Sequence, residues 1–252
     1  MFVSFFCCTF AAEILVMRKI LFLLAAVVAT INMSAEVGIV IRDTLHGTPC
    51  RVYLPSDYDK GDMYPVLYLQ HGMYGMEDDW TEQGHLLHWL DSLFRTGDVK
   101  DMVIVMPDNC PHRPTFDEEK RNATSGEWEK GFAAFMEETE SKYRVSKEPS
   151  QRAIAGLSMG GYHTMKVASL LDGQFAYVGM FSPATFVHEA PTAPKLLWLG
   201  IGKEDFLYLS VQKYRRWLEA HHVEYTYYES TGGHTWPNWQ DYLCRFLKQL
   251  NW

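Results

Sequence analysis

The chain has 252 residues, is 47% hydrophobic and carries a formal net charge of −8. That apolar content at that length supports one sizeable core and one domain. An acidic chain without a basic stripe argues against nucleic-acid binding through phosphates.

The N-terminal 35 residues read as a segment apart from the fold. Arg18 and Lys19 precede a mostly apolar run over residues 20–31, and Met33-Ser34-Ala35 places a small residue at a cleavage position. This is the outline of a secretory signal peptide, and the run is too short for a membrane-spanning helix. Met17 stands where an initiator would stand, so residues 1–16 are an extension before it. An uncleaved N-terminal anchor is the alternative. Either form places a domain of residues 36–252 outside the cytoplasm, in the periplasm or beyond. Cys50, Cys110 and Cys244 then remain, an odd number with no close spacing. They form neither a disulfide framework nor a zinc pattern, and the sequence does not choose a pair.

Two short strands are expected within residues 36–54, around the turn signal His46-Gly47-Thr48-Pro49. Residues 65–70 form a third, nearly all apolar and so buried on both faces. Residues 80–93 have helical spacing, with Leu86, Leu87, Leu90 and Leu93 on one side. Residues 101–106 are a fourth strand, and 107–125, rich in proline and charge, a surface loop. A helix over 126–143 precedes a fifth strand at 151–155 and a helix over 162–171. Strands at 175–181 and 195–201, a helix over 206–221, a strand at 223–228 and a helix over 239–250 complete the chain. Strands alternating with helices give a mostly parallel sheet covered on both faces.

The fifth strand runs into Gly156-Leu157-Ser158-Met159-Gly160-Gly161. A strand, a sharp Gly-x-Ser-x-Gly turn and a helix together make the context of a nucleophile elbow, in which a strained turn holds the serine hydroxyl above the sheet edge. Such a serine needs a base, and the base needs an acid to orient it. In this architecture the chain order is serine, acid, histidine. Asp205 follows the seventh strand and is preferred over its neighbour Glu204, although either would also serve as a helix cap. His234 follows the eighth strand behind Gly232 and Gly233. Of the ten histidines it alone is last in order and set in a glycine-rich loop. His85 and His88 read as surface or packing residues, and His221 and His222 as helix-end residues. The oxyanion of an acyl-transfer intermediate requires backbone N–H donors. One is expected from Met159 and the other from Met73, in the loop His71-Gly72-Met73-Tyr74-Gly75 after the third strand. His71 itself reads as structural. No metal or cofactor is called for: His85-x-x-His88 lacks a third ligand.

These blocks, with Asp79-Trp80, Gly202-Lys203-Glu204-Asp205-Phe206-Leu207-Tyr208 and Gly233-His234-Thr235-Trp236 with Trp239, resemble the Putative esterase family of α/β-hydrolases. That family includes esterase D-like S-formylglutathione hydrolases, tributyrin esterases, and the feruloyl and acetyl xylan esterases of carbohydrate esterase family 1. The resemblance covers essentially all of residues 36–252. It implies an α/β-hydrolase fold, Ser158 as nucleophile, Asp205 as acid, His234 as base, and Met73 and Met159 as oxyanion donors. It implies hydrolysis of short acyl or hydroxycinnamoyl esters, including esters on plant polysaccharide. An acyltransferase on the same fold and a non-catalytic binding protein are the alternatives. Cys110-Pro111-His112-Arg113-Pro114 departs from the family pattern and leaves substrate class open. The short stretch 183–193 leaves little or no room for a lid. Tyr74, Trp236 and Trp239 are candidates for a substrate platform, or, for the two tryptophans, a wedge behind the histidine loop. Oligomeric state is not set by the sequence.

Overall fold

A computed structural model describes residues 38–60, 63–109, 126–186 and 188–252. The segment read as a signal peptide, most of the stretch 107–125 and Cys110 lie outside the described residues. Eight strands form one sheet in the order β1-β2-β4-β3-β5-β6-β7-β8. The first two, β1 (Ile39–Leu45) and β2 (Thr48–Leu54), are an antiparallel hairpin. Its turn is His46-Gly47, both at positive φ, the conformation that matches the twist of a two-residue hairpin. Strand β2 also pairs antiparallel with β4 (Val103–Pro107). From β4 onward all neighbours are parallel: β3 (Val66–Gln70), β5 (Arg152–Leu157), β6 (Tyr177–Phe181), β7 (Leu196–Gly202) and β8 (Thr226–Ser230).

Strand periodicity divides the core into two layers. Val66, Tyr68 and Ile154 point into one, with Phe132 and Phe135 of α3 (Glu127–Lys142), Met165 and Ala168 of α4 (Met159–Leu170), and Val211 and Tyr214 of α5 (Tyr208–Ala220). Leu67, Leu69, Ala153 and Ala155 point into the other. There they meet Trp80 of α1 (Asp79–Glu82), Leu86 and Leu90 of α2 (Leu86–Thr96), and Tyr242, Leu243 and Phe246 of α6 (Trp236–Leu247). Burial of β3 on both faces is complete, as its apolar run requires. Among the described residues no helix is long and apolar enough to cross a membrane.

Several boundaries differ from the sequence pattern, each for a local reason. The helix expected over 80–93 is two helices. A Cβ on Gly84 would lie 2.5 Å from the Trp80 carbonyl oxygen, and His85 at φ 45 turns the chain between them. The last strand starts three residues late because the chain first has to leave α5. His222 takes φ 54, and the Val223 N–H returns to the Leu218 carbonyl. Helix α6 starts three residues early, since Pro237 sits in its first turn, where no intrahelical N–H is needed. Cys50 is buried and unpaired, with burial pushing its thiol up to about 12, so it is inert at neutral pH.

The elbow strand is anchored at its start by a buried ion pair. Arg152 Nε donates to Glu140 Oε1 of α3 at 2.6 Å, with side chains 5% and 8% exposed. The guanidinium also donates to Gln174. Removing one partner strands the other charge in the core. Arg152→Met is therefore expected to lower the unfolding free energy by about 3–5 kcal/mol, measured by urea titration. Adding Glu140→Leu should recover most of that loss.

Candidate active site

The carboxyl ends of the parallel strands gather the predicted residues on one edge of the sheet. The loop after β3 leaves toward one layer and the helix after β5 toward the other, so a crevice opens between them, the usual ligand site of such sheets. Ser158 sits there as the residue between β5 and α4, at φ 54 and ψ −116. A non-glycine residue in that region is strained by about 1–3 kcal/mol, so its surroundings have to hold it. Three backbone hydrogen bonds do: the Ser158 N–H donates to Phe181, and its carbonyl accepts from Tyr162 and Ala184.

Glycine makes the turn possible by contact rather than by φ. A Cβ on Gly156 would meet the Gly160 carbonyl oxygen at 2.5 Å, and one on Gly160 would meet the His71 carbonyl oxygen at 2.3 Å. One on Gly161 would lie 2.8 Å from Pro183 Cβ. Helix α4 begins directly at Met159 rather than at Tyr162. The Met159 N–H is thus in the first turn, among the donors that have no intrahelical acceptor.

Across the crevice, the Gly75 N–H donates to the Gly72 carbonyl, closing a turn that carries Met73 and Tyr74. Tyr74 is at φ 64 and 72% exposed. A Cβ on Gly72 would stand 3.6 Å from Ser158 Cβ, so this turn borders the serine. His71 buttresses it from below and is 1% exposed. Its Nδ1 faces the Gly72 carbonyl at 2.7 Å, which can only accept, so Nδ1 carries the proton. Nε2 then accepts the Asn109 N–H at 3.1 Å, while Asn109 Nδ2 donates to the His71 carbonyl. The sequence reading of His71 as structural fits this. Asn109 was not singled out in the sequence: it lies in a segment read as surface loop, yet is 3% exposed.

Asp205 and His234 meet at the ends of β7 and β8. His234 Nδ1 donates to Asp205 Oδ2 at 2.8 Å. The other carboxylate oxygen accepts the Leu207 N–H at 2.8 Å, so Asp205 both orients the histidine and supports the start of α5. Burial alone would raise the Asp205 pKa; the hydrogen bonds from His234 and Leu207 outweigh it and hold the carboxyl below its ordinary range. The buried Ser182 hydroxyl also leans toward this carboxylate, short of a completed hydrogen bond. Glu204 is exposed and contributes its N–H to the Gly232 carbonyl, pinning the histidine loop.

The two tryptophans separate in role. Trp239 is 7% exposed and packs edge-on against His234, ring centroids 4.9 Å apart, the placement of a wedge behind the loop. Trp236 is partly exposed, packs between Trp80 and Trp239, and donates from Nε1 to Gln83. Tyr74 is open to solvent in the turn that borders the serine. Residues 188–193 are tied down by Lys166–Glu189, by Asp172 to the Thr192 N–H and by Tyr214 to the Glu189 carbonyl. Among the described residues no three histidine, cysteine or carboxylate side chains converge as a metal-ligand set.

A sequence profile of the Putative esterase family matches residues 45–199. The chain belongs to the Putative esterase family. An endo-1,4-beta-xylanase/feruloyl esterase of Xylanibacter ruminicola is 33% identical over 163 residues, 61% of this chain and 22% of that protein. An esterase of Mycobacterium tuberculosis is 33% identical over 171 residues, 60% of this chain and 34% of that protein. The chain therefore matches only about a fifth to a third of these curated relatives' length. A CE1 ferulic acid esterase of the anaerobic fungus Anaeromyces mucronatus superimposes with TM-score 0.72 at 22% identity, over 87% of this chain and 92% of that one. The fold is that of the α/β-hydrolases.

Two outcomes follow from this packing. Gly160→Ala should cost at least about 1–3 kcal/mol of stability, because the contact it makes is with backbone; thermal denaturation would measure it. The lowered Asp205 pKa contributes stability that is full above the unfolded carboxyl pKa of about 3.9 and is lost as pH falls through the lower folded value. The stability gap between the parent and Asp205→Asn should accordingly narrow below about pH 4 in urea titrations at stepped pH.

Proposed function

We propose that the chain is a serine carboxylic ester hydrolase working through an acyl-enzyme. The observation that carries this reading is the Asp205–His234 hydrogen bond, standing on the same sheet edge as the strained Ser158 turn. With Nδ1–H committed to Asp205, His234 Nε2 is left to take the Ser158 hydroxyl proton as Oγ bonds to the ester carbonyl carbon. The Met159 and Met73 N–H groups would receive the oxyanion. The carbon–alkoxy bond then breaks, and the proton on His234 passes to the leaving alcohol. Water repeats the sequence: it gives a proton to His234, its oxygen bonds to the acyl carbon, and Ser158 leaves reprotonated.

For substrate we propose short acyl or hydroxycinnamoyl esters, including those attached to plant polysaccharide. The support is the name of the Xylanibacter relative and the exposed Tyr74 beside the crevice. Export of residues 36–252 after removal of the leader is part of the same proposal, and N-terminal sequencing of the protein from its producing cell tests it.

The experiment for the activity is a panel of p-nitrophenyl acetate, p-nitrophenyl butyrate, methyl ferulate and acetylated xylan, run beside Ser158→Ala. Hydrolysis that falls by about 10⁴-fold or more in Ser158→Ala is the expected result, and the preferred member names the substrate class. Equal turnover by parent and variant would overturn the reading.

A further inference from the structure

His234 is gripped by more than its acid. The Phe206 ring lies against the imidazole, with ring centroids 4.5 Å apart and planes at 53°. Phe206 is also 76% exposed. A large apolar side chain that stays mostly in water gains little from burial, so the fold does not depend on placing it there. Among the described residues, the ring it packs against is that of His234.

The placement is not accidental to a mobile loop. Asp205 and Phe206 are consecutive residues of the β7–α5 turn. That turn is fixed by Asp205 N–H to Gly202, Leu207 N–H to the Asp205 carboxylate, and Tyr208 N–H to the Asp205 carbonyl. One rigid turn therefore offers the imidazole two contacts: a hydrogen bond at Nδ1 and an aromatic ring on its side. The histidine loop is held separately at its backbone, by Asn238 Nδ2 to Thr231 and Gly233, and by Glu204 N–H to Gly232. Backbone restraint leaves the side-chain torsions of His234 free, and a single hydrogen bond still permits the ring to swing about it. Trp239 limits that swing at a steep angle, 89° between planes. Phe206 supplies the remaining contact.

We propose that Phe206 is a positioning residue for His234, holding the imidazole in the orientation that proton transfer to and from Ser158 requires. This rests on the ester-hydrolase reading above. A base held slightly wrong loses rate and not substrate affinity, because orientation matters most where the proton moves.

The test uses the full chain with Phe206→Ala, Phe206→Leu and Phe206→Tyr. Kinetics on p-nitrophenyl acetate are read beside the low-field proton resonance of the His234–Asp205 hydrogen bond, assigned by its loss in His234→Gln. Phe206→Ala should lower kcat about tenfold, with KM within about twofold and the thermal midpoint unchanged. Its low-field resonance should broaden through faster exchange. Phe206→Tyr should restore both readouts, and Phe206→Leu should restore them only in part. A parental kcat with a sharp resonance in Phe206→Ala would overturn the proposal, as would a raised KM at unchanged kcat, which marks a substrate contact. Should the parent show no Ser158-dependent hydrolysis, the function reading fails, and the resonance alone decides the role of Phe206.

Discussion

The Ser158 turn is the constraint around which the rest is arranged. A serine at φ 54 and ψ −116 does not stay there by its own preference. It stays because β5 and α4 are each fixed in the core and the turn between them is held by backbone hydrogen bonds to Phe181 and from Tyr162 and Ala184. That geometry in turn requires Gly156, Gly160 and Gly161, where no Cβ fits against Gly160, His71 and Pro183. The close approach of Gly160 to the His71 carbonyl brings the β3 loop to the serine. The strain and the crevice are thus two results of one packing arrangement.

The second half of the site is built on a different principle. Asp205 and His234 are held by loops whose backbones bond to each other and to the helices that follow. A buried carboxylate without partners would protonate; this one has an N–H at one oxygen and an imidazole N–H at the other, and stays below its usual range. Around it the packing is aromatic: Trp239, Trp236 and Trp80 step from the histidine loop to Phe181 at the end of β6. This is a polar pair in an apolar wall, which limits both its motion and its access to water.

Much of this was legible from local sequence. Apolar runs placed the parallel strands, and Gly-x-Ser-x-Gly between a strand and a helix placed Ser158. The order of serine, acid and histidine separated His234 from nine other histidines. What was hidden depends on residues distant in sequence. The break at Gly84 and His85 comes from tight packing of Gly84 on Trp80 and Trp236, not from the leucine spacing, which reads as one helix. Asn109 looks like a surface-loop residue until β4 sets it beside His71, 38 positions away. Phe206 reads as an ordinary apolar residue next to an acid; its contact with His234 appears only when β7 and β8 pair. Asp205 was already preferred over Glu204 in the sequence, and the structure sets Asp205 against His234 while Glu204 stays exposed.

The central claim is that Ser158 is a nucleophile activated by the Asp205–His234 pair. It is tested most directly by covalent trapping with a fluorophosphonate, followed by mass spectrometry of the digested protein. The account predicts one adduct, on the peptide containing Ser158, formed rapidly by the parent and slowed by orders of magnitude in His234→Ala. An adduct on another residue, or labelling of Ser158 at the same rate without His234, would contradict it.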